Sequence, residues 1–348
     1  MASLVSKDPF QLAGRYAKRN RWENLGGPGD SRPTGDDVIR DEGLLAGDTL
    51  RDKVILITGT SAGMGPATVR ALARTGATIY ATARDLDKAR AALGRDLLDT
   101  GRVHLLRVDQ ADMASVRACA AEFRRQSGGK LNVLINNAAV MRTPETRTKD
   151  GFELQFATNH LSHFLLFYLL KDLLLASTTP EFQSRVVNVS SLGHRYSPIC
   201  FDNLMFEGGN YEGWVVYGQS KTANVYMANQ IERLYGAQGL HGYSVSPGSF
   251  VSPNLQKYAA AEMEAAMQEE RFGKYYASVE QACAGSVYAA VSKELEGKGG
   301  LYIEGASVAV REIPPDSDDI EYGYAGWAFD AEKEERLWEV SKKLVGVE

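Results

Sequence analysis

The chain has 348 residues, enough for one large α/β domain with extensions rather than two full domains. Hydrophobic residues make up 44% and charged residues 24%, which excludes a disordered or fibrous protein. A formal charge of -5 is too mild and too dispersed for a phosphate-tracking surface, so nucleic acid is not an expected partner.

The stretch up to Trp22 has neither the apolar centre of a secretory signal nor a run long enough to span a bilayer, and no membrane partner is expected. Its basic residues Lys7, Arg15, Lys18, Arg19 and Arg21 are interrupted by Asp8 and Glu23, which weakens a transit-peptide reading. Cys119, Cys200 and Cys283 are far apart and form no CxxC pair, so neither a zinc site nor any other metal is expected. A reducing, cytoplasmic setting is the simplest expectation.

Residues 1–50 are rich in Gly, Pro and charge without sustained periodicity and predict a partly irregular N-terminal arm. From Lys53 onward, apolar runs alternate with helical patterns: VILIT (54–58), TIYATA (78–83), VHLLRV (103–108), LNVLIN (131–136), RVVNVS (185–190), GYSVS (242–246) and GLYIEG (300–305). Such strands, buried on both faces and separated by helices, predict a doubly wound (Rossmann) α/β fold with a parallel seven-stranded sheet over residues 51–310.

The first strand runs into Thr58-Gly59-Thr60-Ser61-Ala62-Gly63-Met64-Gly65 and then a helix closed by Gly76. Glycines let the backbone turn sharply and approach a pyrophosphate, while the helix N-terminus offers free N–H groups to the anion. Farther along, Asp112 reads as the N-cap of MASVRACAAEFRRQ, with Gly128 able to end that helix. The segment GFELQFATNHLSHFLLFYLLKDLLLAS is apolar around most of its circumference, so it needs cover from the sheet and from a second surface, a partner subunit being one source. His160 and His163 on it lack acidic or Cys partners and read as core or subunit-contact residues rather than a metal pair. Ser278 and Gln281 form a capping-box pattern. Residues 311–348 predict a loop, then an amphipathic helix with Leu337, Val340 and Leu344 on one stripe; Tyr322, Tyr324 and Trp327 read as anchors for it.

The pattern TGxxxGxG resembles the signature of short-chain dehydrogenases/reductases, and further motifs of that family follow in order. Tyr217-Gly218-Gln219-Ser220-Lys221 matches YxxxK, Ser190-Ser191 ends the fifth strand, and Asn136-Asn137-Ala138-Ala139 is similar to NNAG. Asn159 in ATNHLSHF and Pro247-Gly248 with Ser252 complete the set. The stretches NVSSLGHRY, FDNL and YGQSKTANV resemble the retinol-dehydrogenase-like branch, without the membrane anchor that branch often carries.

The resemblance implies Asn159, Ser191, Tyr217 and Lys221 as catalytic residues. It implies cofactor contacts from Gly59, Ser61, Gly63, Met64, Gly65, Asp109, Gln110, Asn136, Ala138, Tyr217, Lys221, Pro247, Gly248, Phe250 and Ser252. At the end of the second strand Ala83 stands where a carboxylate would bind the ribose of NAD, and Arg84 follows it. A guanidinium pairs bidentately with a 2′-phosphate, so the expected cofactor is NADP(H). The implied reaction is hydride transfer to or from a carbonyl or carbinol carbon, with Ser191 polarising the oxygen and Tyr217 exchanging its proton. A free phenol titrates near ~10, and bringing it down to neutrality takes about 4 kcal/mol, assigned to Lys221 and to an oxidised nicotinamide.

Ser191 and Tyr217 are 26 positions apart, about twice the family spacing, which predicts a flap over about 192–216. The Ala- and Met-rich stretch near 249–277 falls where the family places a substrate lid. The expected small-molecule partner is a carbonyl or alcohol substrate, and a homodimer through the Asn159 and Tyr217 helices is an open arrangement. Three functions stay open: a ketoreductase or alcohol dehydrogenase, a non-redox enzyme on the same fold (epimerase, dehydratase or cyclase), and a nucleotide-sensing or scaffold protein.

Overall fold

The computed structural model describes residues 12–45, 48–313 and 322–347. Lys7 and Asp8, and part of the expected loop near residue 316, lie outside the described residues.

Each of the seven apolar runs forms a strand. They are β2 (Val54–Thr58), β3 (Thr78–Ala83), β4 (Val103–Arg107), β5 (Val133–Asn136), β6 (Ser184–Val189), β7 (Leu240–Ser246) and β8 (Leu301–Glu304), after a short β1 (Leu12–Ala13). Their order β8-β7-β6-β5-β2-β3-β4 is parallel throughout. The chain moves outward from β2 to β4 and returns to place β5 on the other side of β2, so a crevice opens at the carboxyl ends of β2 and β5, where such folds bind ligands. β9 (Ser307–Ala309) turns back antiparallel to β8, and β1 pairs antiparallel with β9, so two short strands enlarge the sheet to nine. Among the described residues no helix is long and apolar enough to cross a membrane.

The helix signals hold where side-chain chemistry sets them. The Asp112 carboxylate accepts the N–H groups of Ala114 and Ser115, and Ser278 and Gln281 form a reciprocal capping box. The N-terminal segment departs from the sequence reading. From Leu12 onward it is folded, and Gly35–Asp41 is a helix with a capping box between Thr34 and Asp37. Val38 and Ile39 are fully buried in the main core. Two apolar residues in seven give almost no periodicity, so this helix depends on packing rather than on its own pattern. Gly35 is needed there, since a Cβ would lie 2.8 Å from Cys283 Sγ.

The apolar helix Ser162–Ser177 receives its second cover from the same chain, through the C-terminal helix Ala331–Val345. The stripe on that C-terminal helix is offset from the expected one. Glu334, Leu337, Trp338, Ser341 and Val345 are buried, whereas Val340 and Leu344 sit at the margin. The polar members belong because they have partners across the contact: Asn229 donates to Glu334, and His160 Nε2 meets Ser341 Oγ at 2.9 Å. Trp338 lies edge-on to Phe164, with ring centroids 4.9 Å apart, and also touches Phe167.

The stretch from Ser197 to Glu212 is fastened along the outside of the helix Gly213–Tyr235. Gln219 accepts Cys200 N–H and donates to the Leu204 carbonyl, Arg147 donates to Met205, and Ile199 is buried beside that helix. Of the expected flap over 192–216, Gly193 packs against the Tyr217 ring and Trp214 lies edge-on to it, with Tyr196 against Trp214.

Truncation of Trp338 tests whether the C-terminal helix is integral. Trp338→Ala is expected to lose about 3–5 kcal/mol of stability in chemical denaturation; a loss below about 1 kcal/mol would make the helix a peripheral appendage.

Candidate active site

Gly59, at φ +75°, lies against the end of β5, where a Cβ would come 2.7 Å from the Ala138 Cα. At Gly65 a Cβ would fall 2.1 Å from the Gly59 carbonyl oxygen, so the turn closes only with glycine at that position. Gly63, at φ +62°, begins the helix Met64–Ala73 and would touch Ser252 Oγ at 3.1 Å. The Gly59–Gly65 turn, the end of β5 and the Pro247–Ser252 stretch therefore border one crevice. Ser61 is half-buried on its rim, and Met64 sends its side chain into the core, leaving only its backbone for the loop.

One hydroxyl fixes the two strand ends. Thr58 Oγ1 accepts the N–H groups of Asn137 and Ala138, each at 2.9 Å, and lies 2.9 Å from His163 Nε2. His163 Nδ1 faces the Asn159 carbonyl at 3.0 Å and must carry the proton, which leaves Nε2 to accept from Thr58 and from Gln110. Burial pushes His163 down to about 4, so it stays neutral. Gln110 thus faces the core, and Asn136 donates to Asn188 inside the sheet; neither side chain points into the crevice. Asp109 is half-buried at the rim and accepts Ala111 N–H.

Arg84 is exposed at the end of β3. Asp85 caps its own helix and pairs with Lys88, and Asp87 pairs with Arg90 at 2.7 Å. Among the described residues Arg84 therefore has no ion pair, and its guanidinium is available to an anion at the strand end.

Tyr217 and Lys221 lie on one face of the helix Gly213–Tyr235, with Lys221 Nζ 5.5 Å from the Tyr217 ring centroid. Ser191 follows β6 with its side chain close to Tyr217, both lying against Gly193, and it acts to lower the phenol's pKa. Ser191 Oγ also accepts Gly193 N–H, and Gly193 must be glycine because a Cβ would sit 2.7 Å from the Tyr217 ring. Ser190 instead donates to the Lys221 carbonyl and faces the helix. Asn159 lies in a π-helical turn, Ala157–Leu161, with its side chain clamped to both backbone groups of Val140 and to Ser220. It shapes the loop after β5 and does not touch the lysine. Phe250 is a core residue bridged to Ala277, while Pro247 and Gly248 stay half-exposed on the crevice.

Within the chain itself, desolvation dominates the electrostatics of the pair. Burial pushes the Tyr217 phenol up to about 12, and Ser191 offsets this only in part. Burial also pushes Lys221 down to about 7, with its Nζ donating to the Val189 carbonyl at 3.1 Å. Burial thus favours the neutral form of both groups, and a cation bound beside them would pull the phenol down.

Several neighbours of the site were not singled out in the sequence. Met141, Ala259, Trp214, Leu255 and Met263 enclose Tyr217 in an apolar cluster, with Leu255, Ala259 and Met263 coming from the stretch 249–277. Arg142 latches that segment through Glu262 at 2.7 Å and the Tyr258 carbonyl at 2.9 Å. His194 ties the site to the tail: its Nε2 accepts Ala325 N–H and its Nδ1 bonds the Ser191 carbonyl at 2.7 Å. The signal for Leu255, Ala259 and Met263 was the Ala- and Met-rich stretch near 249–277, whereas Met141 and Trp214 had none. Trp327 donates to the His194 carbonyl, so it ties the tail to the loop after β6, whereas Tyr322 lies against Tyr275 beside Pro247 and Gly248.

A family model described as short chain dehydrogenase matches residues 53–263. A short-chain dehydrogenase/reductase of Penicillium roqueforti, prx1, is 45% identical over 348 residues, covering 100% of this chain and 99% of that one. Retinol dehydrogenase 12 of Mus musculus is 34% identical, covering 85% and 87%. A metagenomic blue fluorescent protein solved in complex with NADPH superposes with a TM-score of 0.57 at 25% identity, covering 74% of this chain and 99% of that one.

The depressed Lys221 makes a pH prediction. Between about 7 and 10.5 the unfolded chain binds a proton at this lysine that the folded protein does not, so stability rises with pH across that window. Lys221→Met is expected to remove roughly 4 kcal/mol of that rise, measured by chemical denaturation of the nucleotide-free protein at a series of pH values. An unchanged slope would mean that Lys221 titrates normally.

Proposed function

Because this chain belongs to the short-chain dehydrogenase/reductase family, we propose that it is an NADP(H)-dependent oxidoreductase that interconverts a ketone or aldehyde and an alcohol on a small to medium, largely apolar molecule. The observation that carries the reading is Ser191 beside the Tyr217 phenol, which burial keeps protonated, under an apolar cover. A protonated phenol is the form that delivers a proton to a carbonyl oxygen, so the site favours reduction.

The crevice suits a dinucleotide. Gly59, Gly63 and Gly65 leave the backbone bare where a pyrophosphate would rest, and the helix beginning at Met64 presents its N-terminus there. Ser61, Asp109, Ala138, Pro247, Gly248 and Ser252 border the same space, and the unpaired Arg84 favours a 2′-phosphate. The NADPH complex of the metagenomic relative supports the same choice. The bound nicotinamide would supply or accept the hydride. Ser191 would hold the substrate oxygen, Tyr217 would exchange its proton, and Lys221 would hold the ribose. Asn159 would act one step back, by fixing Val140 and its own carbonyl near His163. The lid cluster of Met141, Trp214, Leu255, Ala259 and Met263 is the basis for an apolar substrate. The three cysteines carry no disulfide, which suits a reducing cytoplasm.

The decisive measurement follows nicotinamide absorbance while the protein meets NADPH and a panel of apolar ketones and aldehydes. Tyr217→Phe is expected to lower kcat/KM at least about a hundredfold. No turnover by the parent protein, or turnover indifferent to that change, sinks the reading. Arg84→Asp is expected to lower the preference for NADPH over NADH by about tenfold or more, since it replaces the phosphate's partner with a like charge. An unchanged ratio would move the 2′-phosphate contact elsewhere.

A further inference from the structure

The helix Glu270–Tyr275 ends the lid segment, and its last carbonyls have no partner within the helix. They are taken by a side chain 243 positions away: Arg32 Nη1 donates to the Tyr275 carbonyl at 2.6 Å, and Nη2 donates to the carbonyls of Tyr276 and Lys274. Three successive carbonyls thus converge on one guanidinium, whose planar fork suits such a task better than an ammonium. The Arg32 side chain is only 7% exposed and is aimed by Asp30, equally buried, which accepts from Nε and Nη2. The loop carrying both is itself fixed: Gly26 N–H donates to Asp30, and Gln281 binds Gly29 N–H, the Asp30 carbonyl and the Arg32 carbonyl.

This contact reaches the proposed active site through Tyr275. Its ring is buried against Tyr322, with centroids 5.8 Å apart, and its hydroxyl has no partner among the described residues. That hydroxyl lies 3.9 Å from where a Gly248 Cβ would be, and a small cavity lies between Tyr275, Tyr322, Pro247, Gly248, Asn20 and Arg32. Two residues on, Ala277 donates to the Ser249 carbonyl, which joins the hinge to the Pro247–Gly248 stretch.

We propose that Arg32 is a positioning residue for the lid: from the N-terminal segment it caps the lid's C-terminal hinge and so sets the Tyr275 wall beside Pro247 and Gly248. The kinetic consequence rests on the oxidoreductase reading; the hinge does not.

The test uses the full chain with Arg32→Ala and Arg32→Lys, and Arg40→Ala as a control from the same N-terminal segment, where Arg40 is exposed and pairs with Asp37. Amide hydrogen exchange is compared in peptides covering the lid and in peptides covering β5 and β6. Arg32→Ala is expected to speed lid exchange about tenfold or more and leave β5 and β6 unchanged, with Arg32→Lys between and Arg40→Ala at the parent rate. With NADPH and a ketone that the parent reduces, KM should rise by a larger factor than kcat falls, and the lysine variant should recover part of the difference. If Arg32→Ala does not fold, the lysine variant carries both comparisons. Unchanged lid exchange, a rise spread equally over β5 and β6, or a looser lid with unaltered KM would each overturn the proposal. A parent protein that reduces nothing would defeat the oxidoreductase reading, while the exchange comparison would still decide the hinge.

Discussion

The site depends on the Thr58 hydroxyl at the end of β2. It accepts two backbone N–H groups from the start of the loop after β5 and donates its one proton to His163 on the buried helix. Parallel strands end in unsatisfied backbone groups, and a buried N–H left unpaired costs about 1–3 kcal/mol. By answering two of them at the switch point, Thr58 fixes the distance between β2 and β5 and keeps Gly59 packed on Ala138. His163 passes the constraint on to the Asn159 carbonyl, and Asn159 passes it to Val140. The crevice walls are therefore held by hydrogen bonds that need a neutral imidazole, which burial maintains.

The same burial governs the reacting groups. Removing water from Tyr217 and Lys221 disfavours the charged form of each, so the phenol rises and the ammonium falls. A charge introduced beside them acts in a medium that screens it poorly, so it shifts both groups more than it would in water. The arrangement leaves proton exchange subordinate to what occupies the crevice, and the apolar lid residues around Tyr217 keep it so by excluding water.

What was legible in the sequence is what local chemistry dictates. The seven parallel strands follow from continuous apolar runs, the Asp112 and Ser278 caps from side chains that reach their own backbone, and the Gly59 to Gly65 turn from positions that reject a Cβ. The order of TGxxxGxG, Asn159, Ser191 and YxxxK was legible as a resemblance, and the fold brings Ser191, Tyr217 and Lys221 together. Long-range contacts were not legible. The Gly35–Asp41 helix has two core residues and no periodicity of its own, and the C-terminal stripe includes Glu334 and Ser341 because their partners stand on other helices. Gln110 and Asn136 carry plausible residue types for a cofactor, yet hydrogen bonds within the core claim both side chains. Spacing on a helix reports the proximity of Tyr217 and Lys221 and says nothing of the desolvation that raises the one and lowers the other.

Both flanks of the Rossmann body act on the body rather than trail from it. The N-terminal segment supplies β1 to the sheet edge, a helix to the core and Arg32 to the lid. The C-terminal part supplies Ala325 and Trp327 to His194, and through His194 to Ser191, and its last helix covers the apolar face of Ser162–Ser177. An α/β sheet whose ligand crevice lies at the strand ends is stiff below and loose above, because the loops that form the crevice have no sheet of their own. Each flank ties down one such loop, the lid on one side and the Ser191 loop on the other. The precision of the site is thus set at the two ends of the chain, by buried guanidinium and imidazole groups with fixed donor geometry, as much as by the strands beneath it.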